Sequence, residues 1–300
     1  MSIRSLLLAL AFCLASAAGP GQEQAKLKVF ISADMEGLAG AVTDQQLGPT
    51  GFEYGKFREI MTGEVLAAIE GARAAGATEI LVADSHGNGQ NLLIDQLPAD
   101  VQLVRSWPRP LSMMQGIDET FDAAVFIGYH TSTANMAGVR AHTFSSALLA
   151  DVRLNGTPVS EGAFNAAIAG HFGVPVVAIS GDDAVVAEVK KVVPAIEGAV
   201  VKWAYGFHSA RTLTPKAAAA KIRARVEAGV SRRAAGKPYR LATPVTLEVR
   251  FKNYRPSEVL AYLPGVERTD SHTIRFRGRD MPEVTRFLSF VTNYQPDLAP

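Results

Sequence analysis

The stretch KVFISADMEG, Lys28–Gly37, turns from apolar to acidic at a single point. Its apolar part, Lys28–Ala33, has the near-continuous hydrophobic character of a strand that is buried on both faces of a parallel sheet. Asp34 and Glu36 follow this strand directly. Two carboxylates at the end of a buried strand need a positive partner that compensates for their lost hydration. The stretch therefore predicts a central strand that leads into a charged site.

Three further apolar runs resemble this strand, and a helical pattern separates the first two strands. The helical pattern covers residues 54–77, where apolar side chains recur at the spacing of one helix face. An alternation of strands and helices is typical of βαβ units. The sequence therefore predicts an α/β fold with a doubly wound, mainly parallel sheet. The three further strands are predicted at Glu79–Ala83, Ala123–Gly128 and Val174–Ser180.

The character of the sequence changes near residue 205. A basic, Ala-rich helical pattern covers Pro215–Gly236, strand-like runs cover Val245–Phe251 and His272–Phe276, and a last helix is predicted over about Met281–Val291. We interpret residues 26–205 as an α/β domain that carries the acidic segment after the first strand, and residues 206–300 as a smaller C-terminal α+β unit packed on it.

Residues 1–17 have the pattern of a signal peptide. Arg4 supplies the positive start, Leu6–Leu14 the apolar middle, and Ala15-Ser16-Ala17 the small-residue cleavage site. The apolar run is shorter than the roughly 20 residues that span a bilayer. We therefore expect a periplasmic or secreted protein with no membrane attachment after cleavage.

Composition limits the chemistry and the partners of the chain. A hydrophobic fraction of 48% over 300 residues is typical of a globular protein with an ample core. Its one cysteine, Cys13, lies in the predicted signal peptide, so a metal site in the mature chain must use His, Asp and Glu. The chain has 30 basic against 29 acidic residues, and this balance gives no support for a nucleic-acid partner.

Charged and imidazole side chains follow the first three predicted strands. Asp34 and Glu36 end the first strand, His86 follows the second, and His130 follows the third. Open α/β sheets bind their ligands outside the carboxyl ends of the strands, so these side chains should meet at one edge. Glu161 is expected to join them, because the preceding Ser160 has the character of a helix N-cap.

Each of these residues has a structural explanation when it is taken alone. An aspartate can cap a turn, and a buried histidine can be satisfied within a core. Their joint placement at strand ends favours a metal site, because two close carboxylates repel each other and a divalent cation compensates them. A mixed set of carboxylates and imidazoles suits zinc.

The motifs SADMEGLAG, EILVADSHGNGQNL, GVRAHTF and LNGTPVSEGAFNAAIAGHFGVPVVAISGDD, in this order, are similar to those of the zinc-dependent D-aminopeptidases of the DppA type. The resemblance extends from about Lys28 to near the C-terminus. It implies an enzyme that removes N-terminal D-amino acids from short peptides, for example D-Ala-D-Ala. It also implies a homo-oligomer of the ring-like kind.

The same resemblance implies the roles of the site residues. Two zinc ions would be bound per chain, with Asp34 as the bridging ligand and His142, in GVRAHTF, as the catalytic histidine, either nucleophile or acid/base. The free amine of the substrate needs an acidic or metal partner, and Asp182 is a candidate. Well-known members of the family lack a signal peptide, whereas this chain begins with the pattern of one, which favours work in the periplasm. The implied ligands are Asp34, Glu36, His86, His130 and Glu161.

Two other functions remain open at this stage. The same dinuclear centre would serve a metallohydrolase of another class, an amidase or a phosphoesterase. A periplasmic metal- or ligand-binding protein would keep the ligands without catalysis. His142 separates these classes, because a pure binding protein has no need of an additional histidine beside its ligands.

Overall fold

The computed structural model describes residues 26–294. The predicted signal peptide, with Cys13, lies outside the described residues. The strands in chain order are β1 (Lys28–Ala33), β2 (Glu79–Asp84), β3 (Gln102–Val104), β4 (Ala123–Tyr129), β5 (Leu149–Leu154), β6 (Thr157–Pro158), β7 (Val176–Asp182), β8 (Glu197–Gly206), β9 (Ser209–Thr212), β10 (Val245–Phe251), β11 (Val266–Arg268) and β12 (Thr273–Gly278).

The α-helices are α1 (Asp44–Leu47), α2 (Tyr54–Ala74), α3 (Glu161–His171), α4 (Asp183–Lys190), α5 (Pro215–Ser231), α6 (Tyr254–Leu260) and α7 (Met281–Asn293). Short 3-10 turns cover Ile94–Gln96, Ser112–Met114 and Arg233–Ala235. Within the described residues, none of these helices combines the length and the apolar character that a bilayer crossing requires.

The larger sheet has seven strands in the order β3-β2-β1-β4-β7-β8-β9. Its neighbours pair in parallel except for β8 and β9, which are antiparallel. Ile31 of β1 lies between Val82 of β2 and Val125 of β4 in the register. From β1 the strand order proceeds to β2 on one side and to β4 on the other. The β1/β4 crevice is therefore the switch point at which such sheets bind ligands.

Both faces of this sheet are covered, which explains the continuous apolar strands. Val29 and Ile31 of β1 belong to a core that includes buried residues of α2 and α5. Phe30, on the opposite face, belongs to a core with Phe164 of α3 and Leu247 of β10. The second core continues without interruption from the larger sheet into the smaller one.

The smaller sheet is antiparallel, with the order β11-β12-β10-β5-β6. Its central strand β10 alternates buried and more exposed residues, as expected for a sheet with one face on the core. Val245, Val249 and Ile274 belong to the same core as α7 residues Val284 and Leu288.

The predicted α/β fold class with a mainly parallel sheet is confirmed, and the structure adds a separate antiparallel sheet. The division of the chain near residue 205 stays a prediction, although the sheets do not divide there. Strands β5 and β6 precede that position and belong to the smaller sheet, while helix α5 follows it and packs against α2 and β8. Hydrophobic periodicity reports local structure only, and these pairings join residues far apart in the chain.

Candidate metal centre

The ends of β1, β2 and β4 and the start of α3 bring the predicted site residues together. The ligand atoms form two groups, and within each group all of them lie within 4.8 Å of one another. The first group contains Asp34, Glu36 and His86, and the second contains His130, His142 and Glu161.

Two glycines allow the acidic segment to lie directly on the end of β4. The Gly37 amide donates to the carbonyl oxygen of Gly128 at 2.7 Å. A Cβ at Gly37 would overlap the carbonyl oxygen of Tyr129, and a Cβ at Gly128 would overlap that of Asp34. Gly128 also has a φ of +71°, which disfavours a side chain. The backbone contact thus requires glycine in both motifs.

His86 is fixed in one tautomer by the backbone. Its Nε2 donates to the carbonyl oxygen of Leu47 at 2.6 Å, so the proton of the neutral ring lies there. Its Nδ1 faces Glu36 Oε2 at 2.9 Å and Asp34 Oδ1 at 3.2 Å. In the neutral ring this nitrogen carries a lone pair, which repels the carboxylate oxygens. A cation between the nitrogen and these oxygens would remove the repulsion.

His130 repeats this arrangement on the other side of Asp34. Its Nδ1 donates to the carbonyl oxygen of Thr131 at 3.1 Å. Its Nε2 faces Asp34 Oδ2 at 3.3 Å and Glu161 Oε1 at 3.5 Å. A backbone hydrogen bond that orients the remote nitrogen is typical of a metal-binding histidine.

His142 lies parallel to His130, with the ring centroids 4.1 Å apart. Its Nδ1 donates to the carbonyl oxygen of Arg140 at 2.8 Å. Its Nε2 lies 3.9 Å from Glu161 Oε1 and 4.0 Å from Glu36 Oε1. His142 therefore reaches both groups, and its Nε2 can accept a proton.

Asp34 joins the two groups, because each of its oxygens faces a different one. Oδ1 accepts from the amide of Met35 at 2.9 Å and faces His86, while Oδ2 faces His130. Oδ2 is buried and accepts no hydrogen bond from the described residues. A buried carboxylate oxygen without a donor fits a position that a cation occupies.

Burial and mutual repulsion perturb the titration of the site. Burial, followed by the charge of Glu36, raises the pKa of Asp34. Burial alone would lower the pKa of His86, but attraction to Glu36 and hydrogen bonds to both carboxylates raise it well above its usual value. Burial alone would also lower the pKa of His130. Attraction to Glu161 outweighs this effect, so the pKa of His130 also lies well above its usual value. The carboxylates thus favour the protonated form of both imidazoles in the metal-free protein, and metal binding would release such protons.

The donor set fits zinc. It consists of imidazole nitrogens and carboxylate oxygens, which are ordinary zinc ligands, and it includes Asp34 Oδ2, which accepts no hydrogen bond from the described residues. The side chains of Asp34, Glu36, His86 and His130 are all buried. This burial excludes water from most of the site. The remaining side of the site faces the cavity that these residues line.

A cavity of about 350 Å³ lies over the ligand groups. Of the described residues that line it, none is Lys or Arg, and three are the carboxylates of the site. Thr292 and Asn293, at the end of α7, line the cavity together with Trp107 and Phe144. Thr292 and Asn293 were not predicted from the sequence, because α7 reaches the cavity only through tertiary folding.

The prediction that Asp182 holds the substrate amine is wrong. Its side chain is 1% exposed, and both of its oxygens accept backbone hydrogen bonds. Oδ1 caps α4 through the amide of Val185 at 2.7 Å, and Oδ2 accepts from the amide of Val139 at 2.8 Å. Asp182 instead anchors the segment that carries His142.

The doubly wound sheet, with histidines and carboxylates gathered at its switch point, defines a metal-dependent α/β enzyme. Residues 27–290 match the family model Peptidase_M55, which is described as D-aminopeptidase. The D-aminopeptidase of Bacillus subtilis (strain 168) is 32% identical over 270 residues, which are 89% of this chain and 97% of that protein. The chain belongs to the D-aminopeptidase family, and it is a peptidase.

A solved structure confirms the fold and the metal class of the family. It is the Zn-dependent D-aminopeptidase DppA from Bacillus subtilis, described as a self-compartmentalizing protease. It is 30% identical and superposes with a TM-score of 0.85, covering 89% of this chain and 97% of that one. The resemblance read from the motifs is thereby confirmed. The roles of the individual site residues stay predictions.

We expect removal of zinc by a chelator to lower the melting temperature of the protein, because the buried carboxylates then lose their cation. Zinc at a hundred to a thousand times its dissociation constant should stabilise the fold by about 3–4 kcal/mol. The variant Asp34→Ala should lose most of this zinc-dependent shift. Calorimetry with and without zinc measures it, and Asp100→Ala, an exposed acidic residue paired with Arg73, is the control. An undiminished shift in Asp34→Ala would contradict the assignment.

Proposed function

We propose that the chain is an exported dizinc enzyme that removes N-terminal D-amino acids from short peptides, with D-Ala-D-Ala the first substrate to test. The observation that carries the proposal is the position of Asp34, whose two oxygens face the two groups of ligands separately. This is the placement expected of a carboxylate that bridges two ions. Membership of the D-aminopeptidase family supports the reaction class and its stereochemistry.

The charge of the cavity favours a peptide over a phosphoester. Three carboxylates line it, and no Lys or Arg is found among the described lining residues. The positive charge of two zinc ions would exceed the negative charge of the three carboxylates by a single unit. A phosphomonoester carries about two negative charges, which is more than this surplus would compensate. A peptide bond brings no charge of its own. The phosphoesterase alternative is therefore the less favoured function.

The residues of the site would divide the work of hydrolysis. When bound, zinc polarises the scissile carbonyl and lowers the pKa of a water molecule. The carbonyl of Arg140 keeps the proton of His142 on Nδ1, so Nε2 can accept a proton during attack and return it to the leaving amine. The same free Nε2 would also serve as a nucleophile. Asp182 and Arg140 hold this histidine in place from outside the cavity.

We further propose that the chain assembles into a ring-like homo-oligomer. The solved relative is described as self-compartmentalizing. Large aromatic side chains are exposed on the described surface of this chain, among them Tyr205, Tyr254 and Tyr262. Exposed aromatic residues are common in protein interfaces, where they contribute much of the binding energy.

The substrate proposal predicts that D-Ala-D-Ala is cleaved, that its N-acetyl form is not, and that the all-L dipeptide is a poor substrate. An aminopeptidase uses the free amine to position the carbonyl, so blocking it should abolish turnover. Chromatographic detection of free alanine measures all three reactions. Equal rates on the three compounds would support a metal-dependent amidase instead.

The role proposed for His142 predicts that His142→Ala keeps two zinc ions per chain and its fold but loses turnover by about 10²–10⁴-fold. Elemental analysis and steady-state kinetics on the same sample measure both quantities. His171→Ala, which removes an exposed histidine at the end of α3, is the matched control and should behave as wild type. Loss of one zinc ion in His142→Ala would make this histidine a ligand.

Export predicts a mature protein that starts near Ala18, because cleavage after Ala15-Ser16-Ala17 removes residues 1–17. The intact mass of protein from the periplasmic fraction measures the start. The variant Leu8→Arg, which interrupts the apolar run, should keep the protein in the cytosol at its full mass. Wild-type protein that is cytosolic and retains Met1 would refute export.

A further inference from the structure

Lys202 lies in the middle of β8, and its side chain is completely buried, with 0% exposed. Its Nζ donates to the carbonyl oxygen of Glu36, and to that of Ala41 at 2.6 Å. Among the described residues, no carboxylate oxygen lies within ion-pair distance of this ammonium. A buried ammonium without a direct ion pair is unfavourable unless its surroundings compensate it, so its location calls for an explanation.

The two acceptor carbonyls mark the ends of one short segment, residues 36–41, which we call the acidic loop. The loop begins at Glu36, a predicted zinc ligand. The middle of the loop is bound by a different element, helix α2. The Ala39 amide donates to Glu64 Oε1 of this helix at 2.9 Å. Lys202 and Glu64 thus fix the loop from two different elements of the fold.

The charge of Lys202 also matches its surroundings. The carboxylates whose charges act on it are Asp182, Glu64, Glu36 and Asp34. Two of these four belong to the metal centre. An ammonium beneath the loop therefore opposes the repulsion between the buried carboxylates of the site, which an apolar side chain of similar volume would not do.

We propose that Lys202 is a positioning residue of the zinc centre. By binding both ends of the acidic loop, it holds the Glu36 carboxylate opposite His86, where the two can share an ion. It does not line the cavity, so it acts on the metal through the loop and not on the substrate. This inference depends on the zinc centre proposed above. It also identifies a residue that lies 166 positions from Glu36 in the chain.

The test is the zinc affinity of Lys202→Met and Lys202→Gln, measured by competition with a chromophoric chelator. Loss of a group that orients a ligand typically weakens metal binding by 10- to 100-fold, and this is the loss expected for Lys202→Met. Lys202→Gln keeps N–H donors without the charge and should fall between Met and wild type. We expect kcat at saturating zinc to fall in Lys202→Met while KM changes little, because the substrate does not contact Lys202.

Lys221→Met is the matched control. The Lys221 ammonium, on α5, also donates to a carbonyl of β8, that of Val200 at 2.8 Å, but it does not contact the acidic loop. Its zinc affinity should equal that of wild type. Circular dichroism of the metal-free proteins separates folding from metal binding, since a purely structural lysine would change stability and leave the zinc affinity of the folded protein unchanged.

Three results distinguish the proposals. A folded Lys202→Met with wild-type zinc affinity overturns the positioning role, while the zinc centre itself stands. Failure of both Lys202 variants to fold, with Lys221→Met intact, assigns Lys202 to the stability of the fold and also overturns the inference. Wild-type protein that binds no zinc refutes the proposed function before Lys202 is considered.

Discussion

The carboxylate of Asp34, buried between two histidines at the end of β1, is the interaction on which the rest of the site depends. A charge in this position must be compensated, and the chain does so from every side. Imidazoles of raised pKa face it in the metal-free protein, and an ion would face it in the loaded one. The backbone carbonyls that orient these rings complete the arrangement. The centre is thus built from the need to neutralise buried charge.

A steric constraint places that charge at the switch point. The acidic segment after β1 lies on the end of β4 so closely that neither Gly37 nor Gly128 has room for a Cβ. The two motifs that contain these glycines therefore form one unit of structure, although more than 80 residues separate them in the chain. Because the contact is made by backbone atoms, it fixes the distance between Asp34 and His130 with little freedom for adjustment.

The sequence was sufficient to place the predicted site residues at one sheet edge and to predict four of the seven strands of the larger sheet, β1, β2, β4 and β7. Strand β1 was predicted with its observed bounds, and the placement of His86 and His130 follows from the rule that parallel strands end at one edge. The pairing of β5 with β10 was not predictable, since Val152 and Val249 meet only through tertiary folding. Lys202 was also missed, because β8 mixes polar and apolar residues and a lysine in such a pattern indicates an exposed position. Local pattern predicts elements, whereas burial of an isolated charge depends on distant partners.

The charge balance of the cavity explains why Asp182 had to lie outside it. With two zinc ions bound, as proposed, three carboxylates leave a single surplus positive charge to stabilise the negative charge that develops on the substrate oxygen. A fourth carboxylate facing the cavity would cancel that surplus. Asp182 is the last residue of β7 at the same edge, but its oxygens accept hydrogen bonds from the amides of Val139 and Val185. Its carboxylate thereby holds the segment of His142, and the surplus positive charge of the proposed two-zinc centre would remain.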